Sequence, residues 1–115
     1  MKTYVLALDL KNDPELISQY EEYHRNVWPE IIKSITDSGI QECVIYRISN
    51  RLIMHLTTTD EFSFENKSAL DNTNSKVIEW ETIMWKYQQA IPNFPPNEKW
   101  QLCTAIFCLS QQLQS

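Results

Sequence analysis

Tyr20-Glu21-Glu22-Tyr23-His24-Arg25-Asn26-Val27-Trp28-Pro29-Glu30, at the centre of a helical region running from Asp13 to Ser38, decides how the chain folds. At about 100° per residue, Tyr20, His24 and Trp28 share one helical face with Ile17, Val27, Ile31 and Ile35. An imidazole therefore sits among aromatic and aliphatic side chains. Pro29 has no N–H and disfavours α geometry at Trp28, so one uninterrupted helix would be strained just past the histidine. The expectation is a break there, with Asn26 capping a second helix whose first turn holds Val27, Trp28 and Pro29 and whose dipole Glu30 complements. His24 is left near a helix end, facing a cavity between the break and a sheet. An apolar stripe at this spacing is ordinarily core, and an imidazole in it is ordinarily hydrogen-bonded packing. The alternative is a proton-transfer group, because histidine titrates nearest neutrality of all side chains.

Upstream of this region Thr3 to Leu10 alternates as a strand, and Lys-Asn-Asp-Pro supplies a turn in which Asp13 caps the helix with Pro14 at its first position. Downstream, Gly39, the single glycine of the chain, is placed for a left-handed C-terminal cap. Gln41–Ile48 and Leu52–Thr59 read as strands joined by a hairpin at Ser49-Asn50-Arg51. Asp60 is the expected cap of a short helix holding Phe62, Phe64 and Leu70. Asn72 or Thr73 should cap another running to about Ala90, with Val77, Trp80, Ile83, Met84 and Tyr87 as its apolar face. Ile91-Pro-Asn-Phe-Pro-Pro breaks regularity, Trp100–Leu109 reads as a fourth strand, and the Gln-rich tail reads as frayed.

This order, βαββαβ, predicts an α+β ferredoxin-like fold: an antiparallel sheet with its helices on one face. Val44, Tyr46, Ile48, Ile53 and Met54, together with Cys43, Ile45 and Leu56, leave neither face of strands two and three polar. A second sheet should cover the free face, and the simplest source is an identical chain. The expectation is a homodimer with sheets packed face to face.

The 115 residues suit a single domain, 1–115. Ten Lys plus Arg stand against fifteen Asp plus Glu, and the net charge of −5 with scattered basic residues argues against nucleic acid as a partner. No apolar run has the length of a signal peptide or membrane span, so the protein is expected to be soluble and cytoplasmic, without a membrane partner. Cys43, Cys103 and Cys108 are odd in number and lack metal-ligand spacing, and all three read as small buried hydrophobes. With one glycine in the chain there is no phosphate-cradling loop. No cluster has ligand spacing, so no metal is expected.

Tyr20, His24-Arg-Asn-Val-Trp-Pro-Glu30 and Ser38-Gly-Ile40 together resemble the L-rhamnose mutarotase family. So do Ile45-Tyr46-Arg47, Asn50-Arg-Leu52, Glu79-Trp-Glu81, Met84-Trp85, Ile91-Pro92 and Glu98-Lys-Trp100. The resemblance runs through nearly the whole chain in one register, and Glu79-Trp-Glu81 with Met84-Trp85, and Glu98-Lys-Trp100, are most similar to the L-fucose mutarotase branch. It implies a dimeric α+β barrel that interconverts the anomers of a 6-deoxy-hexose, L-fucose or L-rhamnose, without a cofactor. It also implies His24 as the acid with Tyr20 as catalytic and substrate-binding partner, and Trp28, Tyr46, Trp80 and Met84 as sugar contacts. One departure is Cys43, which stands where the rhamnose enzymes carry a pocket tyrosine.

The chemistry is consistent on its own terms. Mutarotation takes a proton from the anomeric hydroxyl and delivers one to the ring oxygen, a task for a group titrating near neutrality. Indole rings offer flat faces to a sugar's C–H surface and N–H groups to its hydroxyls. His55, in the third strand, has no counterpart in the resemblance and reads as a surface or packing residue. Glu79 and Glu81 point in different directions on a helix and do not form a glycosidase pair, and Glu81 reads as a solvated charge. The same fold hosts small monooxygenases and haem-degrading enzymes, and a non-catalytic sugar-binding protein would share most of these features.

Overall fold

A computed structural model describes residues 1–113. Strand β1 (Lys2–Leu10) is followed by helices α1 (Pro14–Arg25) and α2 (Pro29–Asp37), then by the hairpin β2 (Ile40–Ile48) and β3 (Arg51–Thr58). Helices α3 (Phe64–Asn72) and α4 (Ser75–Trp85) lead to two short strands, β4 (Gln88–Gln89) and β5 (Gln101–Leu102), and a last turn of helix, α5 (Leu109–Gln112). The sheet is antiparallel in the order β2-β3-β1-β4, with β5 also on β1. This is the ferredoxin-like α+β arrangement the element order predicts. No helix among the described residues is long and apolar enough to cross a membrane.

Cross-strand pairing assigns the faces. Leu6 lies opposite Met54 and Leu8 opposite Leu52, while Ile45 lies opposite Met54 and Cys43 opposite Leu56. These side chains meet the helices: Leu10, Leu52 and Ile45 pack with Tyr20, Ile31, Val77, Trp80 and Met84, and Leu6, Leu56 and Ile40 pack with Phe62. The next residues along each strand, Val5, Ala7, Val44, Tyr46, Ile53 and His55, form the other face, which no helix among the described residues covers; Tyr46 is 60% exposed on it.

The local signals behave as their chemistry requires. The Asp13 Oδ1 accepts from the N–H groups of Glu15 and Leu16, at 2.9 and 3.2 Å, with Pro14 opening α1. Pro29 opens α2. Gly39 has φ +100° and donates to the Thr36 carbonyl at 3.1 Å, ending α2 as anticipated.

Several expectations are corrected. Asn26 ends α1 instead of opening α2, whose N-cap is the extended Trp28 without a side-chain cap. The residue that caps α3 is Ser63, whose hydroxyl accepts from the Asn66 N–H at 3.1 Å, and Asp60 pairs with the N-terminal ammonium instead. Helix α4 starts from Asn74 and stops at Trp85, because Lys86 and Tyr87 turn back on the Ile83 and Met84 carbonyls and Gln88–Gln89 join the edge of β1. The fourth strand is reduced to two residues. After the Cys103 N–H bonds the Val5 carbonyl, the chain leaves the sheet, and Ile106 is 96% exposed. A segment apolar on both sides needs a cover on both sides, and a single chain supplies neither. Cys103 and Cys108 are accordingly exposed rather than buried, and only Cys43 is partly buried. Leu109–Gln112 is helical where a frayed tail was expected; Gln114 and Ser115 lie outside the described residues.

Gly39→Ala should cost about 1–3 kcal/mol, since an L side chain at this φ is strained and its Cβ would stand 2.9 Å from Thr59 Oγ1. Urea denaturation should show a lower midpoint with an unchanged slope. An unchanged midpoint would mean that the turn relaxes at no cost.

Candidate active site

The last two turns of α1 carry Tyr20 and His24 inward, where α4 and β4 meet them. Tyr20 is buried at 4% exposure, and its hydroxyl accepts a hydrogen bond from Gln88 Nε2 at 3.2 Å. Burial pushes this phenol up to about 12 from its ordinary 10.0; the Gln88 bond opposes the rise, and the charge of Glu81 adds to it. Burial thus holds Tyr20 as a neutral phenol at neutral pH.

His24, half-buried, has Nδ1 2.8 Å from the Tyr20 carbonyl oxygen. A carbonyl can only accept, so Nδ1 carries the proton, and in the neutral ring Nε2 keeps its lone pair. The ring is also held sideways. It lies 4.4 Å from the Tyr20 ring at 39° and 5.7 Å from the Trp80 ring at 72°. Trp28, just before Pro29, folds back edge-on to Trp80 at 5.2 Å, and Lys76 Nζ stands 5.7 Å from the Trp28 ring centre. Tyr23 also meets Trp80 edge-on, at 6.0 Å.

Of the residues singled out from sequence, the structure brings together Tyr20, Trp28, Trp80 and Met84 in one cluster, with the His24 ring against Tyr20 and Trp80. Trp80 and Met84 are buried at 5% and 2%, so they back the site, whereas Trp28 and His24 reach its surface. Tyr46 is not brought there: it lies on the opposite face of the sheet, paired with Ile53. His55 shares that face, between Val5 and Val44. Cys43 does face the helices, and burial raises its thiol. Glu81 is less free than expected of a solvated helix charge, since its carboxylate accepts from Lys99 Nζ at 2.8 Å, and that ammonium also lies 5.5 Å from the Trp85 ring centre.

Where a cavity between the sheet and the Trp28–Pro29 break was anticipated, the rings of Tyr20, His24, Trp28 and Trp80 pack against one another. Open grooves lie elsewhere. One of about 400 Å³ is bordered by Ser34, Asp37, Leu70 and Asn74, and one of about 510 Å³ by Lys11, Trp85, Lys86, Gln88 and Gln89. Among the described residues no group of three or more His, Cys, Asp or Glu is arranged to hold a metal ion. Sequence reasoning missed Gln88 altogether. A glutamine after an apolar helix carries no signal, and its placement depends on where α4 stops.

The family model described as L-rhamnose mutarotase matches residues 3–109. An L-fucose mutarotase of Xanthomonas campestris pv. campestris is 39% identical over 113 residues, spanning 96% of this chain and 90% of that protein. The crystal structure of an L-rhamnose mutarotase from Formosa agariphila has a TM-score of 0.69 at 19% identity, over 94% of this chain and 98% of that one. A dimeric ferredoxin-like protein from an uncultured marine organism has a TM-score of 0.53 at 12% identity, over 92% and 90% of the two chains. At such identities these two structures bear on the fold alone.

The Tyr20 phenol gives a test that needs no ligand. Its folded-state value lies above the unfolded one, so its contribution to stability is complete below pH about 10 and is lost as pH rises toward 12, by up to about 3 kcal/mol. Urea titrations at pH about 9 and about 11.5 should show a larger loss for the parent than for Tyr20→Phe. Equal losses would mean that the folded phenol ionises as freely as the unfolded one.

Proposed function

The chain belongs to the L-rhamnose mutarotase family, and from that premise we propose that it interconverts the α and β anomers of a 6-deoxy-hexose, L-fucose in the first place, with His24 as the proton-transfer group. The observation that carries this reading is the hydrogen bond from His24 Nδ1 to the Tyr20 carbonyl, which fixes the tautomer and leaves Nε2 as a base at the surface end of an aromatic cluster. Nε2 takes the proton from the anomeric hydroxyl and gives it to the ring oxygen as the C1–O5 bond breaks. The open-chain aldehyde turns about C1–C2, and the reverse transfer closes the ring on the other face. Atoms and charge balance within the sugar and one imidazole, and no cofactor is used.

Tyr20, neutral because it is buried, cannot share the proton as a phenolate and serves as a hydrogen-bonding group. Trp28 offers the flat apolar surface for the sugar, with Trp80 and Met84 behind it. The choice of L-fucose is supported by the 39% identical relative of that name, and L-rhamnose is the sugar named by the family model. The reading places the protein in the cytoplasm, where three free thiols are at home.

The reading includes a homodimer. The uncovered sheet face of Val5, Val44, Tyr46, Ile53 and His55, and the exposed arm with Ile106 and Phe107, are apolar surfaces that a second copy would cover. Tyr46 then belongs to the interface between copies instead of to the sugar contacts. Sedimentation at micromolar concentration should show a dimer, and Ile53→Glu, which sets a charge in this face, should give monomers. A parent chain that sediments as a monomer refutes the assembly.

Removing a positioned proton-transfer group costs about 10²- to 10⁴-fold. Exchange between the anomeric proton signals of L-fucose and of L-rhamnose, followed by saturation-transfer NMR, should fall by that factor in His24→Ala and remain at the parent rate in His55→Ala. Parent-like exchange in His24→Ala would reduce His24 to a packing residue.

A further inference from the structure

We propose that Gln88 is a positioning residue of this site, and that its buried carboxamide holds the Tyr20 hydroxyl as a hydrogen-bond donor toward the substrate side. The proposal rests on the mutarotase reading and extends it to a residue that touches no sugar. Gln88 opens β4 opposite Leu10 and is buried at 4% exposure. Its Nε2–H donates to the Tyr20 oxygen at 3.2 Å, while its Oε1 is buried without a partner. Leucine or methionine would fill the same volume without an orphaned oxygen, so packing alone does not call for an amide here.

The direction of the bond decides what Tyr20 can do. A hydroxyl has one proton to give, and Gln88 occupies a lone pair. The phenol's proton is therefore free for an acceptor other than Gln88, and an O–H whose oxygen already accepts a bond is a stronger donor. The same bond works against the rise that burial imposes on the phenol. His24 packs against the Tyr20 ring and hydrogen-bonds its carbonyl, so Tyr20 is gripped at both ends: the backbone oxygen by the imidazole, the phenol by Gln88. Because Oε1 is closed off from water, the amide acts through Tyr20 and not on the sugar.

The test is a double-mutant cycle in the anomer-exchange assay, with Gln88→Met and Tyr20→Phe made singly and together and the sheet's integrity followed by thermal melting. Gln88→Met should lower kcat about fivefold to tenfold, the worth of one hydrogen bond, and should cost nothing further in the Tyr20→Phe chain. The full factor in both backgrounds would overturn the proposal and leave Gln88 as packing. Gln88→Glu provides a readout within one folded protein: its neutral acid still donates to the phenol, but its carboxylate captures the phenol proton. Its rate should fall as pH rises through that ionisation, where the parent shows no such step; a parent-like profile would overturn the proposal. The ¹³Cζ signal of Tyr20, assigned by its loss in Tyr20→Phe, separates the two readings. A parent that exchanges no anomer overturns the mutarotase reading and the use of Gln88 in it, even if this signal still moves in Gln88→Met. An active parent whose Tyr20 signal ignores Gln88→Met overturns only the role of Gln88.

Discussion

Pro29 has no N–H to give to a preceding turn, and the arrangement of the site depends on that missing donor. Helix α1 ends at Arg25, Trp28 is extended at φ −56° and ψ 139°, and α2 starts afresh on the proline. Without the break, Trp28 would continue one turn above His24 along a single axis. With it, the indole swings back edge-on to Trp80, and His24 is left in the last turn of its helix. The imidazole is thereby placed against a packed wall by one covalent constraint in the backbone.

Behind that wall the packing is nearly all apolar. Tyr20, Trp80, Met84 and Tyr87 close on Leu10 and Leu52, and rings contribute by area and by edge-to-face contact. One polar thread crosses it, from the His24 ring to the Tyr20 carbonyl and from the Tyr20 phenol to Gln88. Polar groups in such surroundings must be paired or are costly, so the thread fixes side-chain positions that apolar packing alone would leave interchangeable. The surface pairs, such as Arg47 with Glu21 and Lys33 with Asp37, are exposed and contribute little beside it.

What was legible in the sequence is what is decided locally. Alternation gave β1, proline the break, and Gly39 the left-handed turn, and each is a property of a few adjacent residues. The face of Tyr46 was not legible, because a bulge decides it. Ile40 lies opposite Thr58 but Glu42 lies opposite Thr57, so Gln41 is an extra residue that reverses the parity of everything after it. A regular strand starting with Ile40 inward would have turned Tyr46 toward the helices; the bulged one turns Cys43 and Ile45 there instead. The stretch after Trp100 failed for a different reason. Strand propensity says that a segment fits a pleated, half-buried surface, and beyond Cys103 this chain offers it none. Gln88 was hidden because its partner, sixty-eight positions away, is set by where α4 stops.

The small polar inventory of the site is itself an argument about the reaction. Ring opening of a sugar moves one proton between two oxygens bonded to the same carbon. A single nitrogen can therefore serve both without a second base or a moving segment. Hydrolysis of a glycosidic bond, by contrast, needs two carboxyl groups set at a defined separation, and here Glu79 pairs with Lys76 while Glu81 pairs with Lys99. What the mutarotase reading does require is one imidazole with a fixed tautomer, an aromatic surface beside it, and neutral hydrogen-bonding groups that do not compete for the proton. His24 held by a backbone carbonyl, Trp28 at the break and a phenol kept neutral by burial satisfy these requirements with side chains from two adjacent helices. A fold whose sheet offers the helices one face and leaves the other open can host this site on the helical side without engaging the open one.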